Sequence, residues 1–414
     1  MTDLDRTHCE RLDAHDELAP LRDRFVVPDG VTYLVGNSLG AMLKDVPERL
    51  HRTVTEEWAQ GLVGSWNAAG WFDKPLTVGD RLAPLVGAGP GQLVVGDSTS
   101  VNLFKVAGSA LRLRPQRSVV IAESGSFPTD LYMLQGLVGW TGQHRLELTD
   151  SAGPSLDDLL SDDVAAVVLS HVDYRTGELL DMPSITRRVH DAGALMIWDL
   201  CHSVGALDID LPGSEVDFAI GCTYKYLNGG PGSPAFAYVA PGLQDDAVQP
   251  LSGWHGHAAP FAFTTDYEPA EGISRFRTST PHILSYTPLE VSLDMFEQLD
   301  MSAVRGKSQA LSELFITLVE QECAGFDLSL VSPREAARRG SQVSLRHPRA
   351  YQVVRALMDH GVHGDFRAPD VMRFGFTPLY LRFVDVWDAV AALREVFAGG
   401  EWQSQPEPSV TAVT

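Results

Sequence analysis

Five short, almost entirely apolar segments in the middle of the chain constrain its fold more than any other feature. They are rich in β-branched residues, as buried strands are, and they lie at 118–124, 164–170, 194–200, 217–223 and 235–240. Helix-like stretches separate several of them, and one such stretch ends at Gly193, a helix stop signal. Apolar strands joined by helical crossovers predict a parallel sheet buried on both faces, with ligands bound beyond the carboxyl ends of its strands.

The sequence changes character near residue 285. A helix-like region passes through LEVSLDMFEQL and VRGKSQALSELFITLVEQ, and strand-like QVSLRH and MRFGFTPLYLRF follow it. A chain of 414 residues is also longer than one hydrophobic core usually serves. The start, LDAHDELAPLRDRF, has apolar residues at helical spacing. We therefore predict a helical N-terminal arm within the small domain at 1–50, a large α/β domain at 51–285, a small α+β domain at 286–402 and a flexible tail at 403–414.

Charge and cysteine content narrow the classes of partner. The 32 basic and 54 acidic residues give a formal net charge of −22, which repels nucleic acid and anionic lipid. The four cysteines show neither CxxC nor metal-ligand spacing and fit a reducing compartment. No apolar run approaches the ~18 residues of a membrane span. We expect a cytoplasmic protein without a metal, a nucleic-acid partner or a membrane segment.

The most informative segment, CTYKYLNGGPGSPAF at 222–236, places a lysine between a strand and a turn crowded with glycine and proline. Lys225 is either a partly desolvated nucleophile and base or a solvated loop lysine, and by itself the second reading is favoured. Asp199 ends the preceding strand. It is either a buried carboxylate that needs a polar or charged partner, or the cap of the helix that follows. Asp and Lys at neighbouring strand ends fit the ring nitrogen and the aldehyde of pyridoxal phosphate (PLP).

Three further features could contact such a cofactor. The hydroxyls in DSTSVN, at 97–102, precede a helix-like stretch and predict a phosphate site, or an ordinary helix cap. Phe127 could stack on an aromatic ring with Asp130 as a second polar contact, and an ordinary turn is an equally good interpretation. His202 could stack on or bond the ring, although a core histidine is the commoner case.

The segments together resemble those of kynureninases, PLP enzymes of the aspartate-aminotransferase fold type, also called fold type I. The resemblance extends from residue 36 to residue 380, most of the chain. It is carried, in order, by GNSLG, TSVNLF, FPTDLY, SHVDYRTGELLDM, WDLCHSVGAL, GCTYKYLNGGPG, QPLSGWHGH, RFRTSTPHIL, RGSQVSL and APDVMRFGFTPLY. It implies a large domain with a mainly parallel seven-stranded sheet and a smaller α+β C-terminal domain.

The resemblance also implies a role for each matching residue. Lys225 would bind the cofactor covalently, Asp199 would pair with its ring nitrogen, and Tyr224 would reach its phosphate and relay a proton. Arg373, otherwise read as a surface ion pair, would bind the substrate α-carboxylate, because a guanidinium grips a carboxylate bidentately. The other implied cofactor contacts are Thr99, Ser100, Phe127, Asp130 and His202, with Trp254 and Thr280 from the partner subunit of a homodimer.

Two histidines depart from the pattern of the resemblance. His255 stands where an aromatic residue is more usual, and His282 stands where many relatives have another residue. Both are expected near the substrate and are predicted to influence which ring substituents it carries.

The reaction that the resemblance implies is the hydrolytic Cβ–Cγ cleavage of L-kynurenine, or of a 3-hydroxylated or otherwise ring-substituted kynurenine, to an anthranilate and L-alanine. Tryptophan catabolism and NAD biosynthesis are the pathways that use it. An aminotransferase or a cysteine desulfurase of the same fold is the nearest alternative, although Cys323, the only late cysteine, lies on a helix-like stretch. A non-catalytic binding module is disfavoured because Lys225, Asp199 and Arg373 are all present.

Overall fold

The N-terminal segment packs against the C-terminal part of the chain in the computed structural model, which describes residues 4–407. The carboxylate of Asp13 accepts the backbone N–H groups of Phe383 and Val384 at 2.7 and 3.0 Å. The predicted helical arm is an α-helix that ends at Asp13 and a separate 3-10 turn at Ala19–Arg24, with Pro20 in the first turn of the second element. The elements of this segment are α1 (Arg6–Asp13), β1 (Phe25–Val26), β2 (Thr32–Tyr33), β3 (Met42–Leu43), α2 (Val46–Arg52), α3 (Ser65–Ala68) and α4 (Lys74–Leu82).

Seven strands in the middle of the chain form one sheet, and all five predicted strands are among them. Two further strands, near 94 and 147, were not predicted, because one is only three residues long and the other is largely polar. In chain order the elements are β4 (Leu93–Val95), α5 (Thr99–Leu113), β5 (Val119–Glu123), α6 (Pro128–Thr141), β6 (Arg145–Thr149), α7 (Leu156–Leu159), β7 (Val164–Ser170), α8 (Met182–Asp191), β8 (Leu195–Asp199), β9 (Phe218–Gly221) and β10 (Phe236–Val239).

The strand order is β4–β10–β9–β8–β7–β5–β6, and the pairs from β9 to β6 are parallel. Strand β10 runs antiparallel to both neighbours, because the loop after β9 returns the chain without a helical crossover. Along β8, Met196 and Trp198 belong to one hydrophobic core and Leu195 and Ile197 to another, so both faces of the sheet are buried. The predicted mainly parallel seven-stranded sheet is confirmed.

The C-terminal part contains an antiparallel sheet of order β11–β12–β15–β14 and four helices. The predicted helical region is two helices, and Asp300 caps the second by accepting the N–H of Ser302 at 2.9 Å. The strand predicted over MRFGFTPLYLRF is wrong beyond Gly375, because Pro378 cannot donate to a sheet. The elements are α9 (Ile283–Phe296), α10 (Met301–Glu322), β11 (Ser329–Leu330), β12 (Gln342–Arg346), α11 (Ala350–Asp359), β13 (Val362–His363), β14 (Asp365–Arg367), β15 (Val371–Gly375) and α12 (Phe383–Gly399).

Strand pairing joins the N-terminal segment to the C-terminal part of the chain. Strand β2 pairs in parallel with β13, and Val35 forms a bridge with Gly375 of β15. These contacts support the proposal that residues 1–50 belong to the small domain. Of the proposed tail at 403–414, Glu407 pairs with Arg349 at 2.6 Å, and residues 408–414 lie outside the described part. Among the described helices, none has the length and apolar character that crossing a bilayer requires.

Candidate active site

A cavity of about 910 Å³ lies at the carboxyl ends of the parallel strands. This is the edge of the sheet at which the sequence predicts ligand binding. Several separate segments of sequence contribute to its wall, from residue 37 to residue 373. Ten of the predicted site residues line it: Thr99, Ser100, Phe127, Asp130, Asp199, His202, Tyr224, Lys225, His282 and Arg373.

Lys225 enters the cavity from the loop that follows β9. The hydroxyl of Thr223 binds the carbonyl of Pro234 at 2.7 Å and fixes the two ends of this loop together. The backbone of Gly40, in the GNSLG motif, donates to the carbonyl of Tyr224 at 2.8 Å. A side chain at Gly40 would overlap the carbonyl oxygen of Lys225, so only glycine permits this close approach. The N-terminal segment therefore fixes the backbone that carries the lysine.

Two buried carboxyl groups, Asp199 and Asp130, lie side by side in the cavity. The side chain of Asp199 accepts the backbone N–H of Cys201 at 2.7 Å. Burial, and then the charge of Asp199, raise the pKa of Asp130 to about 8. The raised pKa makes Asp130 the member of the pair that carries a proton near neutral pH. Such a pair suits a ligand that presents a cationic N–H group.

His202 lies against the amine of Lys225. Its Nε2 is 2.9 Å from Lys225 Nζ, and the ring is buried. Burial, and then the neighbouring charge of Lys225, lower the pKa of His202 well below its usual range. The neutral imidazole therefore accepts a hydrogen bond from the lysine and positions its amine.

The predicted phosphate site is the N-terminus of α5. Ser98 caps this helix by accepting the N–H of Val101 at 3.3 Å, so the cap interpretation is correct for its hydroxyl. Thr99 and Ser100 occupy the first helical positions and line the cavity. The positive end of the helix dipole and N–H groups without partners in the helix favour an anion there.

Phe127 and Tyr174 form one wall of the cavity. Their rings meet edge to face with centroids 5.2 Å apart. Tyr174 belongs to the SHVDYRTGELLDM segment and was not predicted as a site residue. Its backbone carbonyl accepts N–H groups from Gln342 and Arg373. One residue thus links the aromatic wall to the arginine.

Arg373 projects from β15 and is only 1% exposed. Its Nε donates to Asp365 at 2.6 Å, and its Nη2 donates to the hydroxyl of Ser38 at 3.0 Å. Burial alone would raise the pKa of Asp365, but the hydrogen bond and charge of Arg373 hold it below its usual value. Arg373 and Asp365 therefore form a buried ion pair inside the site. The sequence around Arg373, considered alone, had suggested an ion pair on the surface.

Three predicted site residues lie elsewhere in the chain. His255 and Thr280 line a smaller adjoining cavity of about 210 Å³, which shares His282 with the first. Burial, and then Arg277, lower the pKa of His255 to about 4. Trp254 is 42% exposed and packs on Phe72 with ring centroids 6.0 Å apart. None of the three residues joins Lys225 within one chain, and their roles remain proposals.

The residues that the sequence interpretation missed are polar and come from distant segments. Ser38, Arg367 and Tyr174 line the cavity, and Asp365 pairs with Arg373 behind it. Their local sequence shows no periodicity or spacing that marks a site. Ser38 and Tyr174 lie within the segments that carry the family resemblance, and this was the one available signal that they belong to a site. Asp365 and Arg367 lie outside those segments.

The sequence is similar to kynureninases along almost its whole length. A family model of the kynureninase C-terminal domain matches residues 304–393. The kynureninase of Pseudomonas fluorescens is 51% identical over 414 residues, which cover 98% of this chain and 99% of the relative. That of Burkholderia pseudomallei (strain K96243) is 50% identical over 408 residues, which cover 97% and 98%. The chain belongs to the kynureninase family.

Solved structures show that this kynureninase-family chain has fold type I. The apo cysteine desulfurase of Thermococcus onnurineus NA1 superposes with a TM-score of 0.76 at 18% identity, covering 92% of this chain and 98% of the other. A lysine variant of C-DES, with glycine covalently linked to its PLP cofactor, has a TM-score of 0.78 at 17% identity, covering 90% and 99%. At these identities the likeness establishes the fold and leaves the reaction to the site. Cys323, the late cysteine considered for a desulfurase, is buried and lies outside the cavity.

Proposed function

We propose that the protein hydrolyses the Cβ–Cγ bond of L-kynurenine, or of a ring-substituted kynurenine, to the corresponding anthranilate and L-alanine, with PLP as its cofactor. One observation carries the proposal. A lysine, a pair of buried carboxyl groups and a buried arginine line one cavity in a chain that is half identical to kynureninases.

The donor set of the cavity fits this cofactor from one end to the other. The carboxyl pair of Asp199 and Asp130 suits a protonated pyridine nitrogen. The hydroxyls of Thr99 and Ser100, at a helix N-terminus, suit its phosphate. Phe127 is available to stack on the ring, and Lys225 supplies the amine that binds the aldehyde. When bound, PLP acts as an electron sink for a carbanion at the substrate carbon that bears the amino group.

The residues of this chain then have distinct tasks. The amine of Lys225, held by His202 at 2.9 Å, removes the proton from the substrate Cα. Asp199 keeps a negative charge next to the pyridine nitrogen, so that the nitrogen stays protonated. Arg373 binds the α-carboxylate and orients the substrate Cα towards the lysine.

Tyr224 is proposed to move a proton on the substrate side of the reaction. Burial, and then the neighbouring Cys222 and Cys201, raise the pKa of its hydroxyl above the ordinary value. The hydroxyl therefore keeps its proton at neutral pH, and it is a weak acid that donates only to a strongly basic centre. Its ring centroid is 5.9 Å from Lys225 Nζ, so the tyrosine ring lies near the lysine amine.

Product analysis tests the proposed function directly. The purified, PLP-loaded protein is incubated with L-kynurenine and, separately, with 3-hydroxy-L-kynurenine. We expect an anthranilate and L-alanine in equal amounts, measured by mass spectrometry, and the ratio of kcat/KM shows which ring is preferred. The release of a keto acid without L-alanine would instead indicate an aminotransferase. Absence of cleavage with a normal cofactor spectrum would contradict the proposed substrate.

We also propose a homodimer in which Trp254 and Thr280 complete the partner's site. Trp254, Phe261 and Phe263 form a contiguous group of exposed rings, with successive centroids 6.0 and 6.4 Å apart. Exposed apolar patches of this kind mark interaction surfaces. Sedimentation velocity is expected to give about twice the chain mass of 45.1 kDa, and a monomer that cleaves kynurenine at full rate would contradict the shared site.

A cytoplasmic location stays a prediction, which cell fractionation tests.

A further inference from the structure

A second arginine faces the cavity beside Arg373. Arg367 is the last residue of β14, Arg373 lies on the adjacent strand β15, and both side chains line the cavity. Asp365 contacts both, with its Oδ2 at 3.3 Å from Arg367 Nη2 and its Oδ1 at 2.6 Å from Arg373 Nε. Two guanidinium groups share one carboxylate, so the cluster holds one positive charge without a partner of its own.

The protein itself uses most of the hydrogen bonds that Arg373 can donate. A guanidinium has five N–H groups. Nε and Nη2 donate to Asp365, Nη2 also donates to Ser38 at 3.0 Å, and Nη1 donates to the carbonyl of Tyr174. These four contacts leave one N–H group for a ligand. Arg373 alone can therefore grip a carboxylate bidentately only by giving up a contact within the protein.

Arg367 has donors to spare. Its Nη1 donates to the carbonyl of Phe366 at 2.7 Å, whereas its Nη2 lies at 3.3 and 3.4 Å from Asp365 and Ser38. Those two contacts are longer than usual for charged groups. Within residues 4–407, its Nε–H has no hydrogen-bond partner. Its side chain is 24% exposed, against 1% for that of Arg373.

The electrostatics of the cluster point to an anionic ligand. Burial, and then the like charge of Arg373, lower the pKa of Arg367 from its ordinary value. The charged form of Arg367 is thus held in an unfavourable place. A carboxylate between the two guanidinium groups would neutralise the cluster, because two cations would then face two anions.

We propose that Arg367 is a second binding residue for the α-carboxylate of the substrate, and that it restricts the substrate class to amino acids with a free carboxylate. The inference rests on the proposed function, which places this carboxylate at Arg373. Arg373 supplies one N–H to one carboxylate oxygen, and Arg367 supplies a donor to the other. Specificity for the carboxylate therefore depends on one arginine from each of two adjacent strands, β14 and β15, of the four-stranded antiparallel sheet.

The binding of L-alanine and of L-alaninamide to the PLP-loaded protein tests this assignment. The two ligands differ only in the charged carboxylate, and the visible absorbance of the cofactor reports their dissociation constants. Arg367→Gln is expected to weaken L-alanine binding about 10- to 100-fold, as the loss of a charge-assisted hydrogen bond does, and L-alaninamide binding less than about threefold. Arg367→Lys keeps the charge without the planar fork and is expected to lie between Arg367→Gln and the wild type.

Arg346→Gln is the matched control. Arg346 lies on β12 of the same sheet, has a side chain that is 53% exposed, and pairs with Asp370 at 3.1 Å outside the cavity. Equal weakening of both ligands in Arg367→Gln would mean that Arg367 only supports Asp365, and would overturn the proposal. Unchanged L-alanine binding, or a wild type that does not distinguish the two ligands, would overturn it as well. Thermal unfolding identifies a variant that fails to fold, and Arg367→Lys then decides.

Neither ligand is cleaved, so this test separates the two proposals. A protein that does not hydrolyse kynurenine, but loses selectivity for L-alanine in Arg367→Gln, would contradict the proposed function and keep the carboxylate site. A protein that hydrolyses kynurenine with the same alanine selectivity in Arg367→Gln as in the wild type would do the reverse.

Discussion

Replacing Lys225 with alanine is expected to lower kcat for kynurenine cleavage at least about 10⁴-fold, the upper end of what one acid–base group contributes. The physical reason is that, in the proposed mechanism, one amine performs two tasks, the covalent attachment of the cofactor and the removal of the Cα proton. Steady-state kinetics on L-kynurenine measures the loss. Since no other amine lines the described cavity, a second lysine cannot replace it.

A second test of the Lys225 assignment uses the unsubstituted protein and does not depend on turnover. Borohydride reduction of the PLP-loaded protein followed by peptide mass spectrometry is expected to find the cofactor mass on the peptide that contains Lys225. Lys44→Ala is the control, because Lys44 is exposed and lies outside the cavity. If the cofactor mass appears on another lysine, or if Lys225→Ala retains the turnover of Lys44→Ala, the assignment of Lys225 is wrong.

The two buried carboxyl groups are expected to respond very differently to amide substitution. Asp199→Asn replaces the carboxyl group that we propose to pair with the pyridine nitrogen, and we expect kcat to fall by about 10²- to 10⁴-fold with KM within a few-fold of the wild type. Asp130→Asn replaces a group that is already neutral, because burial beside Asp199 raises its pKa to about 8. We expect that variant to lose less than about tenfold in kcat.

This pair of variants is its own matched control, because Asp130 and Asp199 share one environment and undergo the same chemical change. Kinetics at pH 7 on both variants, with cofactor content measured by absorbance, separates a loss of chemistry from a loss of PLP. Equal losses in the two variants would show that the charge is shared, and a larger loss in Asp130→Asn would mean that the proton is on Asp199. Asp208→Asn, at an exposed position outside the cavity, controls for the general effect of losing a carboxylate.

Much of the fold follows from local pattern. The runs at 164–170 and 194–200 are apolar except for Ser170 and Asp199, and they contain the strands β7 and β8, whose residues are all buried. The pattern failed where a proline interrupts it. Residues 376–382 are rich in aromatic and branched residues, as strands are, but Pro378 removes a donor and the chain turns into α12.

The edge of the sheet also follows from sequence. Asp199 and Lys225 come just after neighbouring parallel strands, and carboxyl ends of parallel strands meet at one edge. Their shared cavity is therefore a consequence of strand order. Sequence pattern could not show which carboxyl group carries the proton, because the pKa of Asp130 depends on its burial beside a residue 69 positions away along the chain.

The sequence by itself determined the five central strands and the sheet edge at which Asp199 and Lys225 lie, because apolar pattern and strand ends are properties of short segments. Only the tertiary structure brings the residues of the arginine cluster together. The cluster contains Ser38 from the N-terminal segment, Tyr174 from the loop after β7, and Asp365, Arg367 and Arg373 from the four-stranded antiparallel sheet. Charge pairing and desolvation depend on which distant segments are in contact in the folded chain. The spacing of residues within one segment does not predict those contacts.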